Sequence, residues 1–153
     1  MTTIACIDTP VEAVETILAR HHALMRSQSP EESCHVMTAD ALRASGAKVY
    51  ALCDAEGAIC AVGALKPIGG GGVELKSMHV LAEMRGRGLG AALLGHLLDA
   101  ARGAGATVAY LETGSYSEFA AARSLYERAG FEYCAPFGDY LPDPNSVFML
   151  RRL

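Results

Sequence analysis

The densest chemical signal in the chain is Glu83–Leu98, EMRGRGLGAALLGHLL. Within it Arg85, Gly86, Arg87, Gly88, Leu89, Gly90 and Ala91 set two cations and three glycines just ahead of an apolar run. Glycine costs up to about 1 kcal/mol against alanine in a helix, so three of them at a helix start need a reason. Glycines let successive backbone N–H groups turn toward one point and leave no Cβ in a ligand's way. A helix beginning near Leu89 adds the positive end of its dipole. Two guanidinium groups suit phosphate oxygens. The stretch is shaped to hold an anion, and a diphosphate uses all of its features. The plain alternative is a solvated basic turn with glycines for a tight bend.

Two familiar diphosphate motifs fail here. A Walker loop needs G-K-[ST] after the glycines, and none follows. A dinucleotide fingerprint finds Gly86-x-Gly88-x-x-Ala91, with Glu112 roughly 20 residues further on. That fingerprint belongs directly at a strand end, whereas LAEMR intervenes after Val80. The strand before it also carries Glu74, Lys76 and Ser77, unlike a central parallel strand.

A third pattern matches. Arg85-x-x-Gly88-x-Gly90-Ala91 resembles the [QR]-x-x-G-x-[GA] coenzyme A loop of the GNAT superfamily, the acyl-CoA-dependent N-acyltransferases. The strand ELKSMHV leads into the loop, and LYERAGF at Leu125–Phe131 is similar to the superfamily's late L-Y-x-x-x-G-F signature. The likeness runs from about Ile59 to Phe131, and the tail PFGDYLPDPNSVFM resembles a YsnE-like group of acetyltransferases.

The resemblance implies an acetyl-CoA-dependent N-acetyltransferase acting on a primary amine of a small molecule, by direct attack in a ternary complex. It implies an α/β fold whose mostly antiparallel, twisted sheet splays between its fourth and fifth strands, flanked by helices, with residues 1–153 forming one domain. Pantetheine would pair with the backbone of Met78, His79 and Val80, as an added strand does. The diphosphate would rest on Gly86–Ala91. A free N–H near Met78 would polarise the thioester carbonyl.

Glu74 stands where superfamily members often carry a catalytic carboxylate, and would accept a proton from the ammonium, through water. Its bland reading is a partner for Lys76 or Lys66. Tyr126 matches the superfamily's tyrosine that protonates the leaving thiolate; its bland reading is a packed helix residue. His79 as a base is weaker, since a lone strand histidine is usually a packed side chain. One departure stands out: Phe119 occupies a position where many relatives have asparagine, so a contact to the pantetheine arm is missing or comes from Ser115, Ser117 or Ser124. Candidate acceptor-pocket groups are His35, Lys66, Lys76, Asp139, Tyr140 and Asn145. An acyl-CoA sensor without chemistry, or a dinucleotide-binding oxidoreductase, are the rival readings.

The elements that must position these groups alternate along the chain. Strand patterns appear at Ile4–Ile7, 48–54, 58–67, Val73–Val80, 107–113, 131–135 and 146–152. Thr9, Pro10 and Glu12 read as cap, first position and capping-box partner of a helix carrying Val11, Val14, Leu18 and Met25. SPEE opens a second helical region to about Leu42. Leu89, Leu93, Leu94, Leu97, Leu98 and Ala101 space a third helix, and Phe119–Ala129 a fourth. The glycine run Gly69–Gly72 reads as a hairpin tip. The order is β-α-α-β-β-β-α-β-α-β-β.

Composition sets the outer bounds. The 153 residues, half of them hydrophobic, have a net charge of −4, which gives nucleic acid no purchase. Five cysteines form no C-x-x-C pair and read as free thiols in a reducing cytoplasm. No long apolar run signals a membrane span. The five histidines sit in separate elements without metal-ligand spacing, so no metal is expected. The open edges of a splayed sheet leave room for a homodimer.

Overall fold

Period-two runs and leucine-rich stretches fold as their patterns require. The structure, a computed structural model, describes all 153 residues. In chain order it contains β1 (Thr3–Ile7), α1 (Glu12–Gln28), α2 (Ala39–Ala44), β2 (Lys48–Cys53), β3 (Ile59–Gly69) and β4 (Gly72–Val80). There follow α3 (Leu89–Gly103), β5 (Val108–Gly114), α4 (Ala120–Arg128), β6 (Glu132–Cys134) and β7 (Ser146–Arg152). Element order matches the sequence expectation throughout.

The strands form one sheet ordered β1-β2-β3-β4-β5-β7-β6. All neighbours are antiparallel except β4 and β5. A doubly wound parallel sheet is thereby ruled out, and the dinucleotide-binding reading loses its scaffold. β4 and β5 pair only at Gly72↔Val108, Val73↔Ala109 and Glu74↔Tyr110. Beyond Glu74 the two strands part, and this is the splay.

A bulge deepens it. Val62 pairs with His79 and Ala64 with Lys76, so Ser77 and Met78 together oppose Gly63. Ser77 has φ 56°, a left-handed value that a residue with a side chain adopts only under constraint. The extra residue switches the pleat. Val73 and Leu75 face α3, yet so do Met78 and Val80, while His79 turns to α1 and meets His21. Gly63 makes this fit: a Cβ there would lie 2.6 Å from Met78 Sδ and 3.0 Å from Leu97 Cδ1.

Each sheet face carries its own core. On one side α3 buries Leu93, Leu94, Leu97 and Leu98 against Leu65, Leu75, Leu111 and Met149, with Tyr126 of α4 in the same cluster. On the other, Val14, Ile17 and Leu18 of α1 and Leu42 of α2 cover Val49, Ala51, Val62 and Ala64. Each fully buried leucine contributes about 1.5–3 kcal/mol. Gly105, at φ 88°, ends α3 by letting the Ala106 N–H close back on the Ala101 carbonyl.

Two local expectations fail. α1 starts at Glu12 with Val11 as its cap, and no side chain caps it, so Thr9 and Pro10 lie outside the helix. The second helical region is largely not a helix. Glu31–Ser33 make one 3-10 turn, Cys34–Met37 run without helix, and only Ala39–Ala44 are α-helical, capped by Thr38 Oγ accepting the Ala41 N–H at 3.2 Å. The reason is a long-range tie. Ser33 Oγ donates to Asp143 Oδ2 at 2.5 Å and accepts from Asn145 Nδ2 at 3.2 Å. Those bonds clasp the 135–145 tail loop to this segment, and local helix propensity yields to them. No helix is long and apolar enough to cross a membrane. The five cysteines are unpaired.

Candidate active site

A cavity of about 140 Å³ opens in the splay, and among the polar and soft side chains around it six bear most directly on the site. They are Glu74, Lys76 and Met78 from β4, Glu112 from β5, Tyr126 from α4 and His35 from the segment before α2. A second cavity, of about 650 Å³, adjoins it. Its walls include Lys66 and Ile68 from β3, and Phe137, Asp139 and Tyr140 from the tail loop. Glu74 and His35 line both cavities and form their shared boundary.

Glu74 is buried, with 4% of its surface exposed. Its Oε2 accepts from the Tyr140 hydroxyl at 2.6 Å and from Lys76 Nζ at 3.2 Å. Lys76 Nζ also lies 3.2 Å from the Tyr140 hydroxyl, closing a triangle. Burial pushes the Tyr140 phenol up, and the Glu74 charge reinforces the effect, so Tyr140 stays a proton donor. Its ring packs edge-on to His35 at 4.9 Å and to Phe137 at 5.1 Å. Lys76, His35, Tyr140 and Glu74 are thus brought together at one place. Lys66 and Asp139 face only the larger cavity.

Asn145 lies elsewhere. It lines neither cavity, and its side chain ties Ser33 and, at 2.8 Å, the Tyr116 hydroxyl. It is a clasp residue.

Tyr126 is buried in the α3-side core against Phe131, with its ring reaching the cleft. Burial first, and then the charge of Glu112, push its phenol well above the ordinary value; no hydrogen bond contributes. An alkaline limb from Tyr126 therefore moves out of the working pH range. Phe119, the departure noted in the sequence, is buried and lines the same cleft. Its ring packs against Gly114, where any Cβ would collide with it. Ser115 donates to the Pro144 carbonyl at 2.8 Å, and Ser124 accepts from Arg128 at 3.0 Å.

From Leu75 to Val80 no strand pairs with the β5-facing edge of β4. Six residues of extended chain span roughly 20 Å. Along that edge lie the backbones of Met78, His79 and Val80, with the His79 side chain turned away to α1. At its end come a 3-10 turn at Ala82–Met84 and then the glycine loop. Gly86 and Gly88 have φ 78° and 76°, and a Cβ on either would meet nothing. Gly88 caps α3 without a side-chain bond, so the N–H groups of Leu89, Gly90 and Ala91 face outward unpaired. Arg87 is exposed. Arg85 differs: its Nε donates to the Val80 carbonyl at 3.2 Å, pinning the loop to the strand end.

Residues 13–131 match the model of the acetyltransferase (GNAT) family. The chain belongs to that family. As a GNAT protein it is 36% identical over 140 residues to the uncharacterized N-acetyltransferase YsnE of Bacillus subtilis, covering 92% of each chain. A solved acyl-CoA N-acyltransferase structure from Klebsiella pneumoniae is 29% identical, with a TM-score of 0.79, covering 100% of this chain and 98% of that one. A Bacillus subtilis acetyltransferase solved in complex with CoA shares the fold at 17% identity and TM-score 0.75, covering 100% and 99%.

Sequence reasoning missed two features of this GNAT site. Glu112 entered it only as the ribose carboxylate of a rejected motif, though a charged residue alternating with Ala109 and Leu111 in LETG was a visible signal. The bulge at Ser77 left no sequence mark, because serine is not a residue that favours positive φ.

Proposed function

We propose that this protein is an N-acetyltransferase that moves the acetyl group of acetyl-CoA to a primary amine of a small molecule, within one domain spanning residues 1–153. The observation that carries the reading is the unpaired, bulged edge of β4, running from the glycine loop to a cleft between Tyr126 and two carboxylates. Coenzyme A fits the residues present. The open edge offers amide partners over the length of a pantetheine arm, and Gly86 and Gly88 leave a concavity in front of the α3 N-terminus. A fold relative solved with CoA lends support.

In this reading the N–H groups of Leu89–Ala91 and the Arg85 and Arg87 cations hold the diphosphate. Met78–Val80 hold the arm by backbone hydrogen bonds. The bound thioester supplies an activated acetyl group. Tyr126 gives its proton to the departing sulfur. A carboxylate of the splay, Glu74 on β4 or Glu112 on β5, takes the proton that the acceptor's ammonium must lose. The acceptor enters through the larger cavity, past His35, Lys66, Asp139 and Tyr140.

The test has two stages. Titration calorimetry with acetyl-CoA should show binding, and with NAD none. A panel of primary amines should then release thiol from acetyl-CoA with matching N-acetyl product by mass spectrometry. Binding without release by any amine would favour a sensor and overturn the catalytic reading.

A further inference from the structure

We propose that Glu112 is the catalytic carboxylate that takes the acceptor's proton, and that Glu74 is a positioning residue fixing Lys76 and Tyr140 at the boundary of the two cavities. The inference rests on the acyl-transfer reading above and assigns the base within it.

Glu74 is already engaged. The one oxygen Oε2 holds both the Tyr140 hydroxyl at 2.6 Å and the Lys76 ammonium at 3.2 Å. A proton taken up at either carboxylate oxygen would neutralise the charge on which this pair depends. Losing it would leave a buried lysine without its counter-ion, a costly arrangement in a site this enclosed.

Glu112 stands differently. It projects from β5 into the cleft on the α1 side of the sheet, because Ala109 and Leu111 take the opposite face. No ion pair holds it. The charged and titratable groups around it are Glu74 and Lys76 from β4, Asp143 and Tyr140 from the tail loop and Tyr126 from α4, with His21 of α1 and Cys34 and His35 of the segment before α2 lining the same cavity. Burial pushes its carboxyl up to about 7, against the Ser146 hydroxyl and then Lys76, which favour the charged form, and with Glu74 and Asp143 adding repulsion. A base divided between its two forms at neutral pH is well matched to proton transfer there. Glu112 and Tyr126 also interact, since the carboxylate raises the phenol. Base and acid therefore stand within electrostatic reach of each other at one cleft. The buried hydroxyl of Ser146, two residues along β7 from the partner of Glu112, shares that face and is a hydrogen-bond donor toward its carboxylate.

The balance is simple. The acceptor R–NH₃⁺ passes one proton to the Glu112 carboxylate and becomes R–NH₂. Its lone pair forms the C–N bond as the C–S bond breaks, and the electron pair of C–S leaves on sulfur. The sulfur takes the Tyr126 proton, and the second nitrogen proton returns to the phenolate. Products are the amide and the free thiol, with one net proton released from Glu112 to solvent.

The experiment compares Glu112→Gln, Glu112→Asp and Glu74→Gln in the full chain, using the best amine of the panel and acetyl-CoA. Glu112→Gln should lower kcat about 100- to 10,000-fold and abolish the acidic limb of kcat/KM near pH 7. Its affinity for acetyl-CoA by calorimetry should be unchanged, and Glu112→Asp should recover part of the rate. Glu74→Gln should keep the acidic limb while raising KM for the amine. In ¹³C-glutamate NMR one carboxyl should titrate near 7 and vanish in Glu112→Gln, a readout that needs no acceptor. Loss of the acidic limb in Glu74→Gln instead, or wild-type turnover in Glu112→Gln, overturns the assignment. So does the absence of a titrating carboxyl near 7. Failure of the wild type to acetylate any amine would instead defeat the acyl-transfer reading, and the two failures are told apart by the wild-type assay.

Discussion

The Nδ1 atoms of His21 and His79 lie 3.1 Å apart, joining α1 to β4 just past the bulge at Ser77. One ring must donate and the other accept, so at least one nitrogen is unprotonated. Burial, then the charges of His79 and His22, hold His21 down to about 3. Burial and then Arg85 and Arg20 also lower His79.

Their effect on stability has a definite sign. A histidine whose folded value lies below its unfolded value contributes stability that is present above pH 6.5 and lost as pH falls toward 3. Urea midpoints measured from pH 8 to pH 4 should therefore fall, and His21→Leu should fall less steeply. The comparison is cleanest in a Glu112→Gln background, because that glutamate acts in the opposite sense. Parallel curves for the two proteins would show that His21 is not buried neutral.

Glu112 carries the reverse sign. A carboxyl raised from 4.5 to about 7 favours the folded state at low pH and loses that advantage as pH rises across the interval. Glu112→Gln should then stabilise the protein at pH 8 by on the order of 2–3 kcal/mol and leave it nearly unchanged at pH 4. A gain in stability alongside a loss of turnover is the signature of a strained catalytic group. Thermal unfolding at the two pH values decides it.

The loop prediction needs a careful substitution. Any β-carbon at Gly88 meets φ 76°, which itself costs about 1–2 kcal/mol for most residues. Gly88→Asn tolerates that conformation better, so weakened acetyl-CoA binding in a stably folded Gly88→Asn protein reports on the cradle. Arg87→Ala should weaken binding less as salt rises, since its charge is exposed. Arg85→Ala should leave a salt-independent remainder, because it also releases the Val80 carbonyl. Calorimetry at two ionic strengths separates the two arginines.

Tyr126→Phe removes a hydroxyl that bonds no protein group, so stability and acetyl-CoA affinity should hardly move. Turnover should fall by about 100-fold, the lower end of the general acid range, because a thiolate is a tolerable leaving group unassisted. No alkaline limb should be seen below pH 10 in the wild type. Wild-type turnover in the mutant, with chemistry rate-limiting, would make Tyr126 a packing residue.

Much of this molecule was written in local pattern. The leucine spacing of α3 and the alternation of β3 and β4 gave their elements because each buries one face. The glycine loop was legible because Gly86 and Gly88 need positive φ, which few other residues supply. What stayed hidden depends on contacts distant in sequence. Ser33 meets Asp143 across 110 positions, and that bond, not local propensity, decides that Cys34–Met37 is not a helix. Likewise Glu74 could be read as base or as ion-pair partner, and only Tyr140, 66 residues away, shows how fully it is held.

Three residue pairs, Gly72–Glu74 with Val108–Tyr110, are the whole of the ladder between β4 and β5. The sheet is two leaves on one short hinge: β1 to β4 make one leaf, and β5, β7 and β6 make the other. A molecule whose amides mate with the free edge of β4 would do for this protein what a missing eighth strand would do, so its binding energy would also be cohesion between the leaves. Hydrogen exchange at Leu75–Val80 should then slow far more than at β2 when acetyl-CoA is present. In the acyl-transfer reading, acetyl-CoA would add to the cohesion that the α3 core already gives the two leaves.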